Sequence, residues 1–499
     1  MTVSGLNVSR IYRACTFDRL SMVLVCCVVA LATALSPVPA DTWWHLRAGA
    51  DMIRSHHVLL TDTYSHTAYG LPWPNHEWLS QIVFYALYRV GGLPLLALFA
   101  AAVTTSAWCL VWLLAAGPSM RRFIIVALVL FPASLHWAPR PQALSLLFLM
   151  ATVTLIARQQ SFWLPVVFVI WANTHGAVLL GLIVMTAGFS ATLIDNSTEW
   201  RRYAAIGAGC IVATTLTPLG LSFWAEIPRS LGRIRLYPID EWRRPLLTEG
   251  ALLPFWIAVA ALCVGVASRW RTLLSPCRRQ ARLLCVSALA ILPLAVTAIR
   301  NVGPFLMIAA PALCWLATAT PPSGTDGNER ERRTEHPAVN ISAMAVVVGG
   351  AVFAIITAYR ANSPHLRWTP LPVSSLEALR KCPNNLYNRY DEGGYLIWFA
   401  PERRVFIDGR QDPYPSALIF DQIRIEHSGD YQSTFDRFHI HCAYLPTVSP
   451  VAVRLRAAGW SSLYSDLRWI VLADPRTFSD SRGGQTVASA GSRQAAVQP

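Results

Sequence analysis

The sequence predicts an all-α polytopic transmembrane bundle of about eleven spans, followed by a small C-terminal α/β extracytoplasmic domain. Three observations carry this. The 499 residues are 54% hydrophobic and only 14% charged, where a soluble protein carries about a quarter charged residues. Uncharged apolar runs long enough to cross a bilayer recur through most of the chain. From Arg360 onward the composition becomes that of a soluble domain. A purely soluble enzyme and a disordered chain are both excluded.

In chain order the runs are 20–40, 92–116, 123–137, 142–157, 162–172, 177–194, 203–216, 251–267, 283–299, 303–319 and 338–358. The uncharged stretch 159–194 is too long for one helix. It is interrupted by Asn173-Thr174-His175-Gly176 and reads as two spans. Charge supports the split. The formal net charge is +14, and Lys381 is the sole lysine. With the N-terminus inside, the inner loops collect Arg10, Arg13, Arg19, Arg121, Arg122, Arg158, Arg201 and Arg202. They continue with Arg269, Arg271, Arg278, Arg279, Arg282, Arg330, Arg332 and Arg333. A single span would put 268–282 outside, against the positive-inside bias. The basic balance is therefore topological, and nucleic acid is not an expected partner. Arg229, Arg233, Arg235, Arg243 and Arg244 form an outer cluster that breaks the bias and needs a reason.

Residues 1–19 read as a cytoplasmic N-terminus, 20–358 as the transmembrane domain, 359–477 as the outer domain and 478–499 as a disordered tail. The first span has a rival reading as a signal peptide cleaved after Val38-Pro39-Ala40, and either way Asp41 ends up outside. The polar loop 321–337 reads as a flexible inner connection. In the outer domain 405–407, 443–445 and 469–472 read as strands, and 375–380 and 452–458 as helices. Most of the 11 cysteines lie in apolar spans without metal spacing. Cys382 and Cys442 alone lie in the polar C-terminal region, and their pairing is left open.

Unusual polar residues gather on the outer side. The first outer loop, 41–79, holds Asp41-Thr-Trp-Trp-His45, Asp62, His66 and Trp73-Pro-Asn-His76-Glu77-Trp78. Connectors of this length are usually functional or disordered, and its tryptophans argue against disorder. Leu79, Ile82, Val83, Ala86, Leu87 and Val90 share a helical face, so His76-Glu77 opens an amphipathic helix on the membrane surface. Plainer readings stand beside these. Asp41 also fits the N-cap of a helix starting at Thr42. Glu77 also fits a carboxylate placed at a helix dipole. The spacing of His45, His66 and His76 matches no metal signature, and a divalent cation is left open. Further along come Arg140, His175, Glu241, Arg243 and Arg300. An arginine against hydrocarbon is costly unless it snorkels or meets an anion.

An N-terminal span, an acidic residue directly after it in a long outer loop, further spans and an outer C-terminal domain together resemble the GT-C glycosyltransferases. These include protein O-mannosyltransferases, aminoarabinose transferases and oligosaccharyltransferases. The strings Asp41-Thr-Trp-Trp-His-Leu-Arg-Ala-Gly, Trp73-Pro-Asn-His-Glu-Trp-Leu and Trp171-Ala-Asn-Thr-His-Gly are also similar to a bacterial group of multi-span proteins. So are Tyr390-Asp-Glu-Gly-Gly-Tyr-Leu-Ile-Trp and Val405-Phe-Ile-Asp-Gly-Arg. The resemblance covers most of 20–475. It implies transfer of a sugar from a polyprenyl-phosphate donor to an envelope glycan, lipid or protein outside the bacterial cytoplasmic membrane. Asp41 matches the position of the catalytic base. The chain lacks an Asp-Glu pair or Asp-x-Asp directly after the first span, which leaves the base and any metal requirement open.

The chemistry follows without the family. An acceptor hydroxyl needs a positioned base, and a departing lipid phosphate needs cations. The expectation is a single inverting displacement with Asp41 as base and Glu77 orienting hydroxyls. Arg300 with Arg140 or Arg243 would hold the phosphate, and His45, Asp62, His76, His175 and Glu241 would line the substrates. In the outer domain Asp391-Glu392-Gly-Gly and Asp408-Gly-Arg410 would hold the acceptor. Their plainer reading is a glycine turn and a structural Asp–Arg pair. A lipid-linked saccharide flippase and a non-catalytic envelope-assembly protein are the competing classes. The absence of an internal repeat counts against transport.

Overall fold

The computed structural model describes residues 16–135, 137–234, 239–318 and 336–477. Arg10, Arg13, Arg235, Arg330, Arg332 and Arg333, nearly all of the 321–337 loop and the tail from 478 lie outside the described residues, as does the side chain of Arg233. The chain divides into two compact units. The first takes Met1–Leu60 and Pro74–Trp368, and the second takes Thr61–Trp73 and Thr369–Pro499.

The first unit is helical: α1 (Phe17–Ala34), α2 (Ala40–Ser55), α3 (Trp78–Leu114), α4 (Ser119–Ser134), α5 (Gln142–Ala157) and α6 (Leu164–Thr174). Then come α7 (Val178–Leu193), α8 (Trp200–Thr215), α9 (Ser222–Ile234), α10 (Leu253–Leu273), α11 (Arg279–Ala295), α12 (Val302–Leu316) and α13 (Pro337–Arg360). Each expected apolar run overlaps a helix. Among the described residues 5 helical stretches are long and apolar enough to cross a membrane by length and composition, which fits a multi-pass membrane protein. The stretch 159–194 is two helices, broken at the polar residues that suggested the split.

α12 is the core of this unit. Phe305 through Ala310 are wholly buried, as expected of a helix apolar on all sides. In α13, by contrast, Val339, Val346 and Phe353 are uncovered by protein. In α3, Gly91 and Gly92 leave helical geometry, Gly92 at φ +63°. The positive φ suits a residue without Cβ, and it turns the first segment of the helix into the following span. The face of that segment packed within the unit is Ser80, Gln81 and Phe84. Of the expected apolar face, Ala86 and Val90 are exposed and the other four residues are half-covered. α2 lies against the packed side, and a Cβ on Gly49 would stand 2.1 Å from the Gln81 carbonyl oxygen.

At the end where α3, α7, α10 and α12 finish, arginines take up helix-end carbonyls. Arg282 donates to the carbonyls of Ala191 (2.9 Å) and Leu273 (2.6 Å) and pairs with Asp195. Arg278 reaches the Thr318 carbonyl (3.1 Å) and Arg121 that of Ala317 (2.6 Å). Arg122 joins the Trp112 carbonyl (2.8 Å) to the Asp18 carboxylate (2.7 Å). The last carbonyls of a helix have no helical N–H partner, and an arginine donor at Ala191, Leu273, Ala317 and Thr318 supplies one where apolar surroundings would make its lack costly.

The second unit carries a four-stranded sheet in the order β1-β2-β4-β3. Its strands are β1 (Asn385–Asn388), β2 (Ile440–Pro446), β3 (Ser461–Ser465) and β4 (Trp469–Ala473). β1 and β2 run parallel and the other neighbours antiparallel. The expected strands 443–445 and 469–472 lie in β2 and β4, and the expected helices in Val373–Arg380 and Pro450–Ala457. β1 and β3 were not expected, because neither has an apolar run. The expected strand 405–407 stays outside the sheet. Val405 bonds instead to Tyr64 and His66 of the inserted segment, at 3.0 Å each. The expected glycine turn at 391–394 is the start of a helix, Tyr390–Phe399. A Cβ on Gly393 would stand 2.2 Å from the Ile407 carbonyl oxygen, so this glycine serves close packing rather than a turn. Cys382 and Cys442 form a disulfide.

Candidate active site

Short polar staples bring distant segments of the first unit together. The Thr42 hydroxyl donates to the Pro139 carbonyl (2.9 Å), tying the start of α2 to the turn before α5. Trp78 Nε1 donates to Asn173 (2.8 Å) and the Ser80 hydroxyl to the Thr174 carbonyl (2.7 Å), tying the start of α3 to the end of α6. Asn75 and Gln81 exchange two amide bonds of 2.9 and 2.8 Å. The Ile299 N–H donates to the Arg243 carbonyl (3.0 Å), holding the turn Asp240–Trp242 against the turn Ile299–Asn301.

These staples position the charges. Asp41 receives Arg140 Nη1 at 3.2 Å on one oxygen and Trp44 Nε1 at 3.2 Å on the other. Arg140 continues through Nη2 to Glu241 at 2.6 Å. Glu77 lies between two imidazoles, with His45 Nε2 at 3.7 Å and His175 Nε2 at 3.5 Å. The Arg300 guanidinium stacks on Trp242, 4.3 Å from the ring centroid. Among the described residues no carboxylate lies within ion-pair distance of Arg300. An open cleft is lined by Arg300, Asn301, His175, Gln142 and Trp137 with apolar neighbours.

The N-cap reading of Asp41 does not hold. The cap position is Pro39, the helix already runs at Ala40, and the Asp41 carboxylate is engaged by Arg140 and Trp44. Glu77 does occupy the cap position of α3, yet makes no side-chain cap bond. Burial pushes the Asp41 carboxyl upward against the pull of Arg140. Burial also holds His45 and His175 well below the ordinary imidazole range, reinforced by Arg140 at His45 and by Arg300 at His175. Both rings are therefore neutral at physiological pH. Burial opposes the charge of Arg140, but Glu241 and Asp41 outweigh it. A carboxylate made more basic by burial and paired with Arg140 suits proton acceptance, and Arg300 beside the cleft suits anion stabilisation.

The other sequence candidates lie elsewhere. His76 bonds through Nδ1 to the Pro74 carbonyl (3.1 Å) and stands beside Gly176. Arg243 is half-exposed and pairs with Glu249. Asp62, Asp408 and Arg410 are buried in the second unit, where Arg410 Nη1 meets Asp62 at 2.7 Å and Nη2 meets Asp408 at 2.6 Å. Tyr414 also donates to Asp408, and Tyr64 and Trp73 flank the guanidinium. Arg410 pairs with both carboxylates, and Asp62 also accepts from the Tyr64 and Ser65 backbone N–H groups and the Ser65 hydroxyl. His66 Nε2 donates to the Leu386 carbonyl within the same unit (2.9 Å), and burial lowers its pKa to about 4. Sequence reasoning missed Ser145 as a partner of the site, whereas Trp44, Trp171 and Trp242 stood in noted strings without a role in it. Among the described residues no three His, Cys, Asp or Glu side chains are grouped to hold a metal ion.

No family profile matches this chain, and no curated protein does. Solved structures do. The Archaeoglobus fulgidus oligosaccharyltransferase tethered with an acceptor peptide is similar at a TM-score of 0.52 and 11% identity, over 86% of this chain and 69% of that one. The same organism's oligosaccharyltransferase AglB, in complex with an inhibitory peptide and a dolichol-phosphate, gives 0.52 at 12% identity over the same shares. ArnT from Cupriavidus metallidurans in the apo state gives 0.51 at 14% identity, over 89% of this chain and 96% of that one. All are GT-C glycosyltransferases. At such identities the likeness is one of fold, and this chain has the GT-C fold.

Proposed function

We propose that this protein is a multi-pass membrane glycosyltransferase that moves a sugar from a polyprenyl-phosphate donor to an extracytoplasmic acceptor. One observation carries the reading: Asp41, Arg140 and Glu241 form a network in the same unit as Glu77 and Arg300. The fold supports it, because AglB was solved with a dolichol-phosphate and its relative with an acceptor peptide.

Asp41 takes the proton of the acceptor hydroxyl as its oxygen attacks the anomeric carbon. The bond from that carbon to the phosphate oxygen breaks, and its electron pair leaves with the lipid phosphate. Inversion follows from the single displacement. Arg300 and Arg140 stabilise the charge that develops on the phosphate. Glu77 accepts hydrogen bonds from sugar or acceptor hydroxyls. Arg140 bonds to Asp41 itself, whereas Arg243 pairs with Glu249, so Arg140 is the better second cation.

The protein belongs, on this reading, to the bacterial cytoplasmic membrane, with eleven crossings and the C-terminal domain outside. A disulfide in the second unit supports an oxidising side for that domain. Alkaline phosphatase fused after Tyr359 is expected to be active, and after Ser323 silent. The decisive assay incubates detergent-purified protein with radiolabelled polyprenyl-phosphate sugars and an envelope extract. Label transfer supports the enzyme. Translocation into vesicles without transfer would make it an exporter.

A further inference from the structure

His175 sits at the end of a one-way chain of hydrogen bonds that starts in the apolar interior. Trp171 Nε1 can only donate, and gives its hydrogen to Ser145 Oγ at 2.8 Å. Ser145 has its own hydrogen left to give, and His175 Nδ1 lies 2.8 Å away. The Ala177 backbone N–H, another obligate donor, points at the same nitrogen from 3.3 Å. A ring nitrogen that receives two donors carries no hydrogen. The single proton of the neutral ring therefore sits on Nε2, which faces Glu77 Oε1 at 3.5 Å.

We propose that Ser145 and Trp171 are positioning residues that lock His175 in its Nε2–H form, aimed at the Glu77 carboxylate. The polarity then runs in one direction: indole to hydroxyl, hydroxyl to imidazole, imidazole to carboxylate. The Nε2–H is thereby turned towards one oxygen of Glu77, while His45 faces the other at 3.7 Å. Burial of His175 supports this, because a protonated ring would turn Nδ1 into a donor facing two others. What Glu77 then orients rests on the glycosyltransferase reading, whereas the tautomer does not.

Two measurements test the proposal separately. The first is solid-state NMR of the full chain labelled with ¹⁵N-histidine in lipid vesicles. His175 is assigned as the signal missing from His175→Gln. The expected spectrum at neutral pH has an unprotonated Nδ1 and a protonated Nε2. Ser145→Ala and Trp171→Phe should each move both signals towards a tautomer mixture. A protonated Nδ1 in the native protein, or unchanged signals in Ser145→Ala, overturns the proposal whatever the protein catalyses. The second is a comparison of two substitutions in the sugar-transfer assay. A glutamine amide N–H reaches the place of Nε2–H, while asparagine reaches only that of Nδ1. His175→Asn is expected to lose about ten- to a hundredfold more than His175→Gln, the worth of a hydrogen bond to a charged group. Equal losses overturn the positioning role.

Discussion

The two ends of the transmembrane unit use arginine in opposite ways. Where α3, α7, α10 and α12 finish, Arg121, Arg278 and Arg282 bond to backbone carbonyls, and the partners are the helix ends themselves. At the other end Arg140 spans two carboxylates, and Arg300 rests on an indole beside a cleft. The first pattern closes a hydrogen-bond deficit that every helix end carries. The second concentrates charge beyond what the backbone needs. An arginine whose donors end on carbonyls is spoken for. One facing open space beside a stacked ring is available to an anion.

This contrast predicts separable losses. The largest should follow Asp41→Asn, which keeps the shape but cannot take a proton at neutral pH. Transfer rate should fall by roughly 10²–10⁴ at normal expression, and full activity in that variant would move the base to Glu77. Next, Arg282→Met leaves Asp195 and two helix ends without their cation. Removing one partner of a buried pair costs about 3–5 kcal/mol. The melting temperature in detergent should drop, while transfer per folded molecule stays at the native rate. Selective loss of transfer would erase the distinction between the ends.

Arg300 offers a finer cut. Arg300→Ala should weaken donor affinity by roughly ten- to a hundredfold, the worth of a charge-assisted hydrogen bond. Arg300→Lys should fall between, since lysine keeps the charge but loses the planar fork. Donor titrations at matched folded protein decide this, and unchanged affinity in Arg300→Ala makes the residue an anchor. Smallest of all, Arg243→Ala removes a half-exposed pair with Glu249. Such pairs are worth about 1 kcal/mol or less. Both stability and donor affinity should hardly move, and a large loss of affinity would return Arg243 to the phosphate.

Helix positions were legible because apolar runs and the arginine bias act locally. That bias also assigned Asp41, Glu77, Arg140, His175, Glu241 and Arg300 to one side, and the structure brings their segments together. Pairings were not legible. Nothing in the run 142–157 distinguishes Ser145, whose hydroxyl meets His175 only through tertiary packing. Asp62 was grouped with Asp41 because both lie in one loop. Yet 61–73 belongs to the other compact unit, where Asp62 meets Arg410. Burial of a charge depends on a partner far along the chain, and local pattern is blind to it. Val405 shows the same limit, since its backbone partners Tyr64 and His66 are as distant.

The embedding of Thr61–Trp73 in the second unit has a consequence for biosynthesis. Asp62 leaves the ribosome long before Arg410, with nearly the whole transmembrane unit made between them. At about 5–20 residues per second, Asp62 waits roughly 20–70 s for its counter-ion. During that interval the loop segment cannot be finished, however well its flanking helices have inserted. A continuous fragment from 369 onward likewise lacks Asp62 and the backbone partners of Val405. Such a fragment should stay soluble and folded only when the 61–73 segment is supplied with it, as a separate peptide or grafted ahead of it.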